Sequence, residues 1–209
     1  MSLDYKREIW PEIVYLTKDS ADDALTARVL SRLPDAEVVE LEDSKDPLSQ
    51  INFPANGVSA EAGKFTSGKR KLMLTRNRGE WLKACPGTSQ HVCCNLWIVN
   101  PGEGCPLDCT YCYLQSYLKR NPTLKLYTNT DEMLSVLEAK AKENPNRLFR
   151  VGTGELIDSL VWDDLTDSTL DLVPFFARIP NLMLELKSKF AFVDNLLSLK
   201  NEHNDKRSH

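Results

Sequence analysis

Apolar and polar positions fall along the chain in short blocks whose period switches between that of a strand and that of a helix. Glu12–Thr17 (EIVYLT) is a β-branched and aromatic run that predicts a strand. Ser20 stands where an N-cap would, ahead of a helix over about 21–32. Ala21, Leu25, Val29 and Leu33 recur near one face of it, and Pro34 stops it. A second strand, Glu37–Leu41, follows at once, so the chain opens on a β-α-β unit. Residues 42–67 turn polar, with Asp46-Pro47, Pro54, Gly57 and Gly63, and predict a connector. Arg70–Arg76 predicts another strand, with Asn77-Arg78-Gly79 as a hairpin turn.

From Asn95 onward strands and helices alternate. Strands are expected at 96–99, 147–151 and 182–186, and helices over about 112–119, 130–143, 164–178 and 191–199. Such alternation implies parallel pairing with right-handed crossovers. The expected organisation is a small N-terminal α/β module with its connector and basic hairpin (1–90), a second α/β region (91–200) and a polar tail (201–209). Trp10, Tyr15, Trp97 and Phe149 read as core.

Composition narrows the function. Lys and Arg total 26 against 30 Asp and Glu, a net charge of −4, so there is no global attraction to nucleic acid or anionic membrane. Six basic residues do cluster locally: Lys64, Lys69, Arg70, Lys71, Arg76 and Arg78. A solvated hairpin face is the favoured account of them, and a phosphate-contacting patch the alternative. No apolar run approaches the roughly 20 residues of a membrane helix, and Asp4 and Glu8 interrupt any secretory signal, so a cytoplasmic protein is expected. Of three histidines, His203 and His209 lie in the tail, leaving His91 alone in the body. That argues against a hydrolytic triad or a histidine-rich zinc site.

All six cysteines fall between residues 85 and 112. Cys105, Cys109 and Cys112 form C-x3-C-x2-C, three thiolates able to wrap one soft metal centre from a single loop. Structural zinc normally takes a fourth Cys or His, which the motif lacks. Iron–sulfur clusters also take thiolates, and three of them leave one iron open for chemistry. Cys85, Cys93 and Cys94 match no cluster spacing and read as core or loop thiols, with a second metal site as the minor alternative.

With Tyr111 before the last cysteine, this motif resembles the signature of the radical S-adenosylmethionine (SAM) superfamily. The stretch CPGTSQHVCCNLWIVNPGEGCPLDCTYCYLQSYL resembles the spore photoproduct lyase family in particular, and the likeness runs from about Cys85 to Leu199. The resemblance implies a 4Fe–4S cluster on Cys105, Cys109 and Cys112, SAM chelated to the open iron, and reductive cleavage to a 5′-deoxyadenosyl radical. It also implies that residues 91–200 form the first half of a partial (β/α)6 barrel, with the site at the C-terminal mouth of its strands. Gly152-Thr153-Gly154-Glu155 resembles the glycine-rich motif that holds the SAM amino group, and Lys189 matches a lysine used on the SAM carboxylate. Tyr111 and Tyr113 match two tyrosines associated with radical relay. An electron donor such as flavodoxin or ferredoxin is implied, and DNA or another nucleic acid as substrate.

Two departures shape the expectation. The family's hydrogen-donating cysteine falls, without a gap, on Glu155, and no cysteine follows Cys112. A carboxylate O–H is too strong a bond to replace a thiol, so a lyase-like radical SAM protein with an open substrate is expected rather than dimer repair. Three barrel strands are legible where the family has six. The alternative is therefore a non-catalytic or split N-terminal fragment whose site a second chain completes.

Overall fold

Strand β1 (Ile13–Thr17) buries every side chain after Ile13, and a strand covered on both faces belongs inside a parallel sheet. The computed structural model, which describes residues 11–42, 46–53, 60–87, 89–92, 95–107, 109–112, 116 and 122–203, places it there. β1 pairs in parallel with β2 (Glu37–Leu41) on one side and β3 (Lys71–Thr75) on the other. β3 pairs in parallel with β7 (Leu124–Tyr127), which pairs antiparallel with the short β6 (Gly102–Glu103). The outer strand β2 is mostly exposed and carries Glu37 and Glu40, charges that discourage edge-to-edge pairing. This unit comprises Lys6–Gly79 and Pro101–Thr130.

Several expectations change here. The first helix, α1 (Ala24–Ser31), starts later than residue 21. Ser20 lies in a 3-10 turn, and its hydroxyl donates to the carbonyls of Thr17 (2.8 Å) and Leu74 (3.0 Å) instead of capping. Asp23 takes the N-cap place, yet its carboxylate reaches Arg76 at 2.5 Å and accepts from the Thr128 hydroxyl at 2.6 Å. The expected connector holds a 3-10 turn (Pro47–Gln50) and a helix, α2 (Ala60–Gly68). A Cβ on Gly68 would meet Pro122 at 2.4 Å, so the end of α2 closes onto the segment entering β7. The expected helix over about 112–119 falls mostly outside the described residues.

The basic hairpin is overturned. β3 is an interior parallel strand, and Asn77-Arg78-Gly79 is an Asx turn: the Gly79 N–H donates to Asn77 Oδ1 (2.9 Å). That turn is tied to Asn129 beyond β7, whose Oδ1 accepts from the Asn77 N–H (2.7 Å). The basic side chains are engaged within the chain, although Arg70 and Arg78 stay exposed. Arg70 pairs with Glu12, Arg76 with Asp23, and Arg78 with Asp19 at 2.9 Å. Burial alone would raise the Asp19 carboxyl, but the Thr17 hydroxyl and Arg78 outweigh it and hold it below the usual range. Lys64 lies over the Phe53 ring. Lys71 is 7% exposed, donates to the Asn52 carbonyl at 2.8 Å and lies over the same ring; burial lowers its pKa.

The second unit comprises Glu80–Asn100 and Asp131–His209. Its sheet runs β4 (Leu82–Ala84), β5 (Leu96–Val99), β8 (Phe149–Gly152), β9 (Leu182–Glu185). β4 is antiparallel to β5; β5, β8 and β9 are parallel neighbours in chain order, which bears out the three expected barrel strands. Helix α3 (Thr130–Glu143) precedes β8, with Met133, Leu137 and Ala141 buried at helical spacing. Trp97 and Phe149 meet edge to face at 5.4 Å.

The helix expected over 164–178 is two, α4 (Asp163–Thr166) and α5 (Ser168–Arg178), broken at Asp167 with φ +52°. Asp163 explains the break. Only 2% exposed, its carboxylate accepts from the Thr169 N–H (2.8 Å), the Thr169 hydroxyl (2.6 Å), the Ser168 hydroxyl (3.0 Å) and Asn195 Nδ2 (3.1 Å). It caps α5 from outside and ties in α6 (Asp194–His203), which runs past the expected end at 199. Among the described residues, no helix is long and apolar enough to cross a membrane. Asp163→Ala leaves several buried donors unpaired and is expected to cost about 3 kcal/mol, read as a lower urea midpoint. Asp163→Asn, which keeps an acceptor, is expected to cost less.

Candidate functional site

The cysteine motif belongs to the first unit, and its frame is built from both ends. Glu103, on β6, accepts from Lys125 Nζ and the Tyr127 hydroxyl, each at 2.6 Å, which pins the entry to the loop. Burial and the Glu103 carboxylate push the Tyr127 phenol far above its ordinary pKa, so it stays a donor across the working pH range. Gly104 follows with φ +85°, a conformation that favours glycine and that turns the chain into Cys105. At the middle, Lys69 Nζ donates to the Leu107 carbonyl at 2.8 Å. At the far end the Cys112 N–H donates to the Cys109 carbonyl at 3.0 Å.

Cys105, Cys109 and Cys112 are half-buried and outside any disulfide. Tyr111 is 71% exposed, and Tyr113 lies outside the described residues. Among the described residues no group of three or more His, Cys, Asp or Glu is gathered closely enough to hold a metal. The donor set nevertheless fits an iron–sulfur centre: three soft thiols on one short loop. Closing such a loop is commonly part of metal binding itself. Cys85 sits in the connection between β4 and β5, its N–H donating to the Leu96 carbonyl at 2.9 Å; Cys93 and Cys94 lie outside the described residues.

The other expected residues lie in the second unit, where parallel pairing sends three strand ends to one edge of the sheet. After β5, Asn100 Nδ2 donates to Glu155 Oε2 (3.0 Å) while its Oδ1 accepts from the Leu156 N–H (3.3 Å). One amide thus orients both the carboxylate and the backbone of the glycine-rich loop. Asp158 clamps the loop after β9, accepting from the Ser188 hydroxyl (2.8 Å) and the Lys189 N–H (2.7 Å). Ser159 Oγ accepts from the Thr153 hydroxyl and the Lys187 N–H, both at 2.9 Å. Gly152, Gly154, Glu155 and Lys189 therefore share one stitched set of loops, with the Lys189 side chain exposed.

The two glycines differ in kind. A Cβ at Gly154 would strike Ser159 Oγ at 2.9 Å, whereas one at Gly152 would meet Leu96 at 3.4 Å, near ordinary contact. Sequence reading missed Asn100, Asp158, Ser159 and Lys69. Asp158-Ser159 carries a local signal, since Asp158 Oδ1 accepts from the Leu160 N–H (3.0 Å) in an Asx turn. Lys69 was hidden within the basic run.

Gly154→Ala is expected to cost about 1–3 kcal/mol and Gly152→Ala under about 1 kcal/mol, compared by urea denaturation. Glu185, at the end of β9, is held below the usual carboxylate range by hydrogen bonds from Arg150 and Lys187. A depressed folded-state pKa gives stability that is present above the unfolded value of about 4.3 and is lost as pH falls through the folded one. Glu185→Gln is therefore expected to flatten the acid limb of the stability profile, by at most about 1 kcal/mol for a pair that water still reaches.

Comparison with known proteins places this architecture. The chain is 30% identical over 103 residues to a spore photoproduct lyase of Geobacillus sp., covering 49% of this chain and 30% of that protein. It is 31% identical over the same length to the spore photoproduct lyase of Bacillus subtilis, with the same coverage. A solved double-mutant spore photoproduct lyase with bound AdoMet and dinucleoside spore photoproduct superposes with a TM-score of 0.75 at 20% identity. That match covers 91% of this chain and 53% of the other, so this chain spans about half the length of the solved relative. The family model for spore photoproduct lyase matches residues 9–208, nearly the whole chain, which therefore belongs to the spore photoproduct lyase family.

Proposed function

We propose that this chain is a radical SAM lyase-like protein. One observation carries the reading: three half-buried cysteines outside any disulfide at C-x3-C-x2-C, in a member of this family. Cys105, Cys109 and Cys112 would hold the 4Fe–4S cluster. When bound, the cluster supplies the electron that cleaves SAM into methionine and a 5′-deoxyadenosyl radical. Glu155, oriented by Asn100, offers a carboxylate to the SAM ammonium, and the backbone of Gly152 and Gly154 leaves room for its approach. Lys189 is the candidate partner of the SAM carboxylate, and Tyr111 and Tyr113 of radical relay. A small electron carrier such as flavodoxin or ferredoxin supplies the reducing equivalents. Binding of dinucleoside spore photoproduct by the solved relative supports a nucleic-acid substrate here. Thiol-based dimer repair is not assigned, because Glu155 stands where the family's hydrogen-donating cysteine falls without a gap.

A second reading has its own observation. Among the described residues β9 is an edge strand, and the chain spans about half of its solved relative. A fragment that holds a cluster but needs a second chain to complete the SAM pocket fits both facts.

Anaerobic reconstitution separates the readings. The first expects about four irons per chain, brown absorbance and 5′-deoxyadenosine release under reductant. Cluster without deoxyadenosine favours the fragment, and a colourless protein binding one zinc overturns both. Glu155→Gln is expected to weaken SAM binding about ten- to hundredfold with iron content unchanged, measured by equilibrium binding.

A further inference from the structure

Lys69 is one of the most buried cationic residues described, at 6% exposure. An ammonium taken from water is costly unless a specific partner repays it. Its Nζ lies 2.8 Å from the carbonyl of Leu107, two residues from Cys105 on one side and from Cys109 on the other. One residue spans at most about 3.6 Å and a carbonyl oxygen stands about 2.4 Å from its own Cα, so the charge lies within about 12 Å of both cysteine Cα atoms. Its own position is fixed: the Lys69 N–H donates to the Phe65 carbonyl (3.0 Å), and Gly68 is pressed against Pro122. Lys71 provides the contrast. It is equally buried and also donates to a carbonyl, but that carbonyl belongs to Asn52, far along the chain from any cysteine.

We infer that Lys69 is a positioning residue of the metal centre: it holds the cysteine loop at Leu107 and sets a positive charge near the stretch that carries Cys105 and Cys109. This rests on the cluster reading above. Groups outside the ligand shell orient ligands and tune the metal through charge and hydrogen bonding. A nearby cation stabilises the more negative, reduced form of a thiolate cluster, and so raises its potential. In partly buried surroundings that charge is weakly screened.

The test uses the full chain, reconstituted anaerobically and titrated optically, with amide hydrogen exchange over residues 104–112 followed in the metal-free protein. Lys69→Met is expected to shift the one-electron equilibrium about tenfold toward the oxidised cluster, roughly 59 mV, and to speed exchange several-fold. Lys69→Arg should preserve both properties. Lys69→Gln, which keeps a donor without charge, should lower the potential while sparing exchange, and it carries the charge test if Lys69→Met fails to fold. Lys71→Met should leave potential and exchange as in the unmodified chain. Unchanged potential and exchange in Lys69→Met, unchanged potential in Lys69→Gln, or an equal effect of Lys71→Met overturns the inference. If the unmodified chain takes up no iron, the cluster reading falls and the charge role with it; faster exchange in Lys69→Met then still supports loop holding, and unchanged exchange overturns that too.

Discussion

Parallel pairing is the constraint on which the rest of this structure depends. Strands that all point one way must return through crossovers, so their carboxyl ends, and the loops leaving them, gather along a single edge. In one sheet that edge brings Thr17, Thr75 and Thr128 within reach of Asp23 and Arg76. In the other it brings Asn100, the glycine-rich loop and the Ser188–Lys189 turn together. Each set joins segments far apart in sequence. Loops at such an edge are free to vary in chemistry while the ladder beneath them keeps its register, which is why sites settle there.

What was legible in the chain follows from the same physics. Strands buried on both faces announce themselves as apolar runs, so β1 and β3 stood out; β5 and β9 are short apolar runs although only partly buried, and the cysteine motif was readable because its chemistry lies in local spacing. β7 was missed because LKLY is four residues long and its Lys125 and Tyr127 turn toward Glu103. α2 was missed because Gly63 and a polar composition weaken any helical signal. The supports of the site were illegible for a different reason. Asn100 meets Glu155 across 55 positions, Lys69 meets Leu107 across 38 and Lys189 meets Asp158 across 31. No local pattern encodes a contact of that range.

The cluster of positive residues shows how a linear charge count misleads. Arg70, Arg76 and Arg78 each face a carboxylate from a different point of the chain, and Lys69 and Lys71 turn their ammonium groups to backbone carbonyls. They act as fasteners between strand ends and helices, not as a surface field.

The chain does not finish one unit before beginning the other. It leaves the first sheet after β3, lays down β4 and β5 of the second, and comes back for β6 and β7 before departing again at Asp131. During synthesis the first sheet therefore emerges from the ribosome without its fourth strand, and β3 waits with an open edge while the cysteine-rich stretch is still being made. A nascent chain in that state has an unpaired strand border and several exposed thiols at once, which invites wrong pairing and premature oxidation. Any cut that tried to release either unit as one continuous piece would sever the other. The interleaving couples assembly of the cysteine loop to completion of the sheet that frames it.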